Sequence, residues 1–330
     1  MILVTGMSGY IGSHTAVALL NSGYDIVGFD NFYNSAPDAV EAVKKLTGKD
    51  FPFYIADLND VESMRPVFEE NKIDAVIHFA GLKAVGESVA KPLMYYHNNV
   101  SGTINLLQLM QEYGVKRIAF SSTATVYGEP DTIPLTENLP NSATNPYART
   151  KLFIEGIIQD FCKADPDFSA ALLRYFNPIG AHESGLIGEN PNGIPNNLMP
   201  RICQTAKGIM KSLTVFGDDY PTHDGTGIRD YIHVCDLAEG HIAAIEKLMN
   251  EKGVFIYNLG TGTGYSVYDL IHTFARVNEV EVPYTVCPRR PGDVTILLSD
   301  PSKANRELGW IAKRNLEDMC RSSWNFIKDK

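Results

Sequence analysis

Tyr147 and Lys151 stand four residues apart behind Asn145, which can cap a helix, and Pro146, which suits a helix's first turn, so both side chains fall on one helical face. A phenol with its ordinary pKa near 10 is a poor base at neutral pH. An ammonium about 4 Å away, at an effective dielectric near 20, favours the phenolate by roughly 4 kcal/mol, about three pKa units, and the positive end of the helix adds to this. The pair therefore has the chemistry of a group that takes a proton from a hydroxyl and returns it. With 16 tyrosines and 17 lysines in 330 residues, about one such spacing arises by chance, so the pair gains its meaning from its company. That company is a hydroxyl at Thr123, which ends an apolar run, and a glycine turn near the start of the chain.

Residues 2–12, Ile-Leu-Val-Thr-Gly-Met-Ser-Gly-Tyr-Ile-Gly, read as a short buried strand, a turn and a helix start. Gly6, Gly9 and Gly12 allow a tight turn, close backbone approach to a pyrophosphate, and close packing of the helix on the strand. The helix's open amides and positive dipole end then face the phosphates. The spacing is G-x-x-G-x-x-G rather than G-x-G-x-x-G, so the flanks have to support it. A helical pattern (Ile11, Thr15, Val17, Leu19, Leu20) follows, and a second apolar run, 25–29, ends in Asp30. A carboxylate there accepts bonds from the adenosine ribose hydroxyls and repels a 2'-phosphate, which favours NAD over NADP.

A chain of 330 residues is long enough for two units sharing a large core, and 44% hydrophobic with 21% charged residues is an ordinary globular composition. A net charge of -10 disfavours nucleic acid as a partner. An anionic ligand would need locally placed arginines. The first strand begins at residue 2 and no apolar run approaches about 18 residues, so neither a signal peptide nor a membrane span is predicted and a cytoplasmic location is expected. Cys162, Cys203, Cys235, Cys287 and Cys320 are odd in number and lack C-x-x-C pairs, which suits buried reduced thiols. The eight histidines show no metal spacing; no metal is expected, and they are assigned to surface or packing.

These groups need a scaffold, and the apolar pattern supplies one. Strand-like runs at 2–5, 25–29, 53–55, 75–80, 117–122 and 168–175 alternate with helical stretches near 38–46, 61–70, 93–113 and 146–162. This predicts an α/β fold of the Rossmann type, a doubly wound parallel sheet, with a smaller mixed α/β C-terminal substrate domain. Ligands bind at the ends of such strands, which here carry Asp57, then Phe79, Ala80 and Gly81, then Ser121, Ser122 and Thr123, then Tyr175, Phe176 and Asn177. The passage 178–200 is rich in glycine and proline, reads as too irregular for a sheet-core element, and marks entry into the smaller domain. The expected division is 1–177 for the dinucleotide and 178–330 for the substrate. The second part is expected to hold a strand near 213–216, a basic loop at Arg289 and Arg290, and helices near 236–249, 303–308 and 316–327. Strand-like runs at 229–234 and 255–259 are each compatible with a return to the larger sheet.

With these features in place, the chain resembles the extended short-chain dehydrogenase/reductase family, and within it the nucleotide-sugar 4-epimerases. The resemblance runs nearly end to end through the strings at 5–14, 76–88, 121–128, 172–177, 193–200 and 224–234. The first and third are general to the family and the others specific to the epimerases. The resemblance implies a tightly held NAD, reduced and reoxidised within one turnover. It also implies interconversion of UDP-galactose and UDP-glucose through a 4-keto sugar that turns about its link to the diphosphate. Tyr147 would take the 4-hydroxyl proton, Thr123 would share that hydrogen bond, and Lys151 would also bond the nicotinamide ribose. Thr123 stands where these epimerases usually have serine, keeping the hydroxyl and adding a methyl. NAD contacts would come from Gly6, Gly9, Tyr10, Ile11, Gly12, Asp30, Asn31, Asn34, Ser35, Asp57, Leu58, Phe79, Ala80, Gly81, Lys83, Asn98, Ser121 and Tyr175, beside Tyr147 and Lys151. UDP-sugar contacts would come from Lys83, Phe176, Asn177, Asn197, Leu198, Thr214, Phe216, Arg229, Tyr231, Arg290, Asp293 and Leu297, beside Thr123 and Tyr147. Two arginines suit a diphosphate, although each taken alone serves equally as a solvated surface charge. Family members limited to plain hexoses commonly carry a tyrosine, and those accepting N-acetylated sugars a smaller residue, where this chain has Leu297. Its intermediate size leaves acceptance of UDP-GalNAc and UDP-GlcNAc open.

A 4,6-dehydratase of the same family typically needs an acid pair after the strand-end hydroxyl, and this chain has Ala124 and Thr125 there. A redox-sensing regulator could keep the glycine turn but has no reason to keep Tyr147, Lys151 and Thr123 together. The family also implies a homodimer through a four-helix bundle, for which 93–113 and 146–162 are the candidates; ordinary packing explains their apolar faces equally well.

Overall fold

The computed structural model describes residues 1–130, 132–190, 195, 197–290 and 292–330. In chain order the strands are β1 (Ile2–Thr5), β2 (Ile26–Asp30), β3 (Phe53–Ile55), β4 (Ala75–His78), β5 (Arg117–Thr123), β6 (Ser169–Tyr175), β7 (Asn177–Ile179), β8 (Leu213–Phe216), β9 (Ile228–His233), β10 (Val254–Leu259), β11 (Gly264–Ser266), β12 (Tyr284–Cys287) and β13 (Ile296–Leu297). The α-helices are α1 (Tyr10–Asn21), α2 (Asp38–Thr47), α3 (Val61–Glu69), α4 (Val85–Ala90), α5 (Pro92–Tyr95), α6 (Gly102–Glu112), α7 (Pro146–Ala164), α8 (Leu198–Ala206), α9 (Val234–Asn250), α10 (Val267–Asn278), α11 (Ser302–Leu308) and α12 (Leu316–Ile327).

Seven strands form one all-parallel sheet in the order β10-β6-β5-β4-β1-β2-β3, the doubly wound arrangement whose order reverses between β1 and β4. Helices cover both faces, so β1, β2 and β4 are buried along their whole length. The period-2 alternation of side chains divides the core accordingly. Val4, Ile77 and Leu173 pack with Leu19 of α1 and Leu237 of α9, while their neighbours Leu3, Val76 and Leu172 pack with Leu106 of α6 and Ile154 of α7. A second, smaller sheet has the order β11-β9-β13 with β7 also beside β9, and β8 pairs β12 separately. Of the two runs compatible with a return to the large sheet, 254–259 returns, as β10 beside β6, and 228–233 stays in the small sheet as β9.

Two expectations are corrected. The passage 178–200 is not irregular throughout: its first residues belong to β7, a three-residue strand whose parallel register is set by β9 and not by any pattern of its own. The stretch 93–113 is helical as expected but not a uniform α-helix. α5 gives way to a π-helical turn, Tyr96–Ser101, before α6 begins. Within that turn the buried Asn99 accepts from Leu82 N (2.8 Å) and donates to Leu82 O (3.0 Å) and Thr150 Oγ1 (3.1 Å), which ties the segment to the loop after β4 and to α7. Such single-turn widenings tend to occur at functional sites.

Packing also neutralises histidines. Burial pushes the pKa of His14 and His78 down to about 3 and that of His241 to about 4. Unfolded, each returns to about 6.5 and binds a proton that the folded form excludes. Stability is therefore full above pH 6.5 and lost as the pH falls toward 4, by on the order of 2 kcal/mol per ring at pH 5. Urea unfolding midpoints at pH 7 and pH 5 check this; equal midpoints would contradict it.

Candidate active site

The sheet's order reversal opens a crevice beyond the C-terminal ends of β1 and β4, and the glycine turn lies there. Gly6 holds φ +65°, and a Cβ on it would come within 2.8 Å of Ala80 N. A Cβ on Gly12 would meet Gly6 O at 2.3 Å, so the start of α1 rests directly on the turn. Gly9 is the N-cap of α1 with no side-chain acceptor, which leaves the first-turn amides free for an anion. At the end of β2 the buried Asp30 accepts from Ser8 N (3.1 Å), Phe32 N (2.9 Å) and Ser35 Oγ (2.9 Å). Asn31 donates to Asp57 Oδ2 at 2.7 Å, Asn34 lies exposed nearby in sequence, and Leu58 is buried under Gly102. This cradle, in which side chains at the glycines would collide with backbone and a buried acid stands at the end of β2, fits a pyridine dinucleotide. Tyr10 donates to Gly180 O (2.6 Å) and so ties α1 to the stretch after β7, and Ile11 packs into the adjoining core.

The loop after β4 runs through Phe79, Ala80, Gly81 (φ +156°) and Lys83. Ala80 N donates to Thr5 Oγ1 (3.2 Å), and Asn98 donates to Asn99 Oδ1 (2.9 Å) beside the same loop. Across the crevice β5 ends in Ser121, Ser122 and Thr123, all buried. Asn145 caps α7, accepting from Ala148 N at 2.9 Å, and Tyr147 N donates to Ser88 Oγ at 3.1 Å, so the first turn of α7 is held from both sides.

Lys151 donates to Ser121 O (2.7 Å) and lies over the Phe120 ring, 4.8 Å from its centroid. Burial lowers its pKa to about 8, partly offset by the Glu155 charge. The expected depression of the Tyr147 pKa is not seen. Burial pushes the phenol up to about 12, and the Thr123 hydroxyl beside it pulls the other way. The lysine's charge is directed to the strand backbone and not to the phenol.

On the substrate side, Phe176 is buried against Tyr127 and Leu135, and Leu297 packs against that cluster. Leu297 also pairs in register with Arg229, which fixes its place beside the site. Asn177 of β7 pairs with Tyr231 of β9. Arg290 and Asp293 bond each other (2.8 Å), with the Arg290 guanidinium 5.6 Å from the Phe216 ring. Thr214 and Phe216 lie on β8, whose partner β12 leads into the loop carrying Arg290. Asn197 precedes α8, with Leu198 its first residue; Gly193, Ile194 and Asn196 of the string at 193–200 lie outside the described residues.

Five residues around the site escaped the sequence reading. Glu189 accepts from both Lys83 Nζ (3.2 Å) and Asn197 Nδ2 (2.6 Å), joining the two sides of the crevice. Asn99 clamps the β4 loop. Glu155 and Arg174 form a buried ion pair under α7, and His241 sits behind Tyr175. An arginine inside the apolar run 168–175 and a glutamate four residues after Lys151 were the readable signals; the other three left none.

A family model described as GDP-mannose 4,6 dehydratase matches residues 3–323. The UDP-glucose 4-epimerase of Bacillus subtilis (strain 168) is 62% identical over 325 residues, covering 98% of this chain and 96% of that one. Among solved structures, the UDP-glucose 4-epimerase from Bifidobacterium longum in complex with NAD+ and UDP superposes with a TM-score of 0.96 at 53% identity, over 99% of this chain and 98% of that one. The UDP-Glc/GlcNAc 4-epimerase from Campylobacter jejuni gives 0.87 at 38% identity, over 100% and 99%.

Proposed function

Since this chain belongs to the UDP-glucose 4-epimerase family of the extended short-chain dehydrogenases/reductases, we propose that Tyr147 is the acid and base on the sugar 4-hydroxyl of a UDP-hexose. The enzyme interconverts UDP-galactose and UDP-glucose by C4 oxidation to a 4-keto sugar, rotation, and re-reduction on the opposite face. NAD, when bound, would supply the reversible two-electron oxidation. Tyr147 takes the 4-hydroxyl proton and later returns it to the other epimer. Thr123 shares the hydrogen bond, so the proton has a fixed line of transfer. Lys151, held by Ser121 O, adds positive charge to the floor of the site. The glycine turn, Asp30, Asn31, Asp57, Lys83 and Asn98 hold the dinucleotide. Arg229, Arg290, Asn197 and Asp293 hold the uridine diphosphate, and the sugar between them is held loosely enough to turn.

The observation that carries this reading is the Thr123 hydroxyl beside the Tyr147 phenol at the C-terminal end of β5. Ala124 and Thr125, where a dehydratase needs acids, keep dehydratase chemistry from applying. A coupled assay tests it: UDP-galactose is converted to UDP-glucose by protein carrying NAD, and absence of conversion would end the proposal. The same assay with UDP-GalNAc tests tolerance of acetylated sugars, which the leucine at 297 permits; no turnover at saturating concentration removes that tolerance.

Residues 1–177 form the part that binds the dinucleotide and 178–330 the part that binds UDP-sugar, with β10 the strand that the second part contributes to the larger sheet. The active form is a homodimer, supported by apolar side chains left exposed on α4, α5 and α7: Val89, Leu93 (81% exposed) and Phe153, the last stacked on Tyr96. Light scattering should give twice 36.4 kDa. Its place is the cytoplasm, where five free cysteines stay reduced. Among the described residues no helix is long and apolar enough to cross a membrane. Asp30→Asn should weaken NAD binding about tenfold, the worth of a charged hydrogen bond, and narrow the preference against NADP. NAD and NADP affinities both unchanged from the parent's would contradict that role.

A further inference from the structure

His241 lies in the middle of α9, fully buried, and the chemistry above gives it no task. Its Nδ1 is 2.8 Å from the Leu237 carbonyl oxygen, which can only accept, so Nδ1 carries the ring's proton. Burial holds its pKa near 4, which leaves the ring neutral at physiological pH and Nε2 with a lone pair. Nε2 is in hydrogen-bond contact with the Tyr175 hydroxyl, and the two rings meet edge to face with centroids 5.2 Å apart. A lone pair cannot donate, so Tyr175 donates to His241. The imidazole is held from another side by Phe79, its centroid 4.8 Å away.

Tyr175 ends β6 in register with Thr123 at the end of β5, with the Ser121 hydroxyl close to its own. With its proton committed to His241, its oxygen has only lone pairs left to offer. Within a nicotinamide ring, the carboxamide is the group that carries N–H donors. We propose that His241 is a positioning residue that fixes Tyr175 as a hydrogen-bond acceptor toward the carboxamide of the dinucleotide, so that the site recognises an amide there and rejects a carboxylate. This rests on the reading of the crevice as an NAD site. The same commitment withholds the second phenol from proton transfer and leaves Tyr147 as the tyrosine of the pair with a proton to exchange.

The test loads the full chain in an equimolar mixture of NAD and nicotinic acid adenine dinucleotide, removes the free dinucleotide, and measures the bound ratio by chromatography. The unaltered protein should favour NAD by about a hundredfold, as expected when an acceptor faces a carboxylate instead of an N–H. In His241→Leu the freed Tyr175 hydroxyl can donate to a carboxylate, and the preference should fall below about tenfold. Tyr175→Phe, which removes the acceptor with little change of shape, should lose the preference as well. A merely structural histidine would weaken both dinucleotides alike and leave the ratio unchanged, which would overturn the inference. So would an unaltered protein that retains both equally. Retention of neither would overturn the NAD reading itself and this inference with it.

Discussion

Tyr147→Phe should lower kcat for UDP-galactose conversion by between about a hundredfold and ten-thousandfold while the protein keeps its NAD and its fold. The ring stays, so the packing of the first turn of α7, held by Asn145 and by Ser88, is unchanged. What is lost is one oxygen, next to the Thr123 hydroxyl. Without it no group in line with the sugar oxygen takes the proton as C4 is oxidised. The neighbouring Tyr175 is no substitute, since burial holds its pKa well above the ordinary value and its proton is engaged by His241. A kcat within threefold of the parent, with substrate saturating, would remove Tyr147 from its role. Lys151 gives the same site a pH signature. Its pKa is lowered to about 8, so its charge is present below that value and lost above it, and activity should decline as the pH rises through 8.

How much of this was readable depended on the range over which each feature is decided. The glycine turn and the capped helix start at Asn145 are local: steric limits at Gly6 and Gly12, and a cap three residues from its amide, are fixed within one or two turns of chain. The unbroken apolar runs at 2–5 and 168–175 mark strands covered on both sides, and the pleat then sends Leu3 and Val4, or Leu172 and Leu173, to opposite faces. Distance in sequence hid the rest. Asn99 acts on Leu82 seventeen positions away, His241 on Tyr175 sixty-six away and Glu189 on Lys83 one hundred and six away, and none of these partners is implied by spacing. The Tyr147 pKa failed for a related reason. Coulomb's law with an assumed 4 Å lysine ignores desolvation, which drives the phenol to about 12, and assumes an ammonium aimed at the phenol where Lys151 bonds Ser121 O. A trait read from spacing alone therefore depends on how deeply the phenol is buried and on where the ammonium points.

Glu155→Leu should destabilise the fold by roughly 3 to 5 kcal/mol, because it strands the Arg174 guanidinium inside the protein. Glu155 and Arg174 are 0% and 2% exposed, and bond twice, at 3.0 and 2.7 Å, while Ser122 Oγ donates to the same carboxylate at 2.5 Å. The Tyr127 ring lies 4.9 Å from the guanidinium carbon, so the charge has no exit to solvent. Replacing both partners, with Arg174→Met added, should recover most of the loss, since an apolar pair of similar volume needs no desolvation. A single variant as stable as the parent in urea would show that the pair carries no such weight. The consequence reaches the chemistry because Tyr147, Lys151 and Glu155 recur at intervals of four along one face of α7, and Arg174 is the residue before Tyr175 on β6. The ion pair thus pins the helix that carries the phenol and the ammonium to the strand that carries Tyr175. Glu155 also raises the Lys151 pKa against burial. In the repacked double variant that support is gone, so the decline of activity should begin below pH 8, and an unshifted profile would separate the pair's structural role from its electrostatic one.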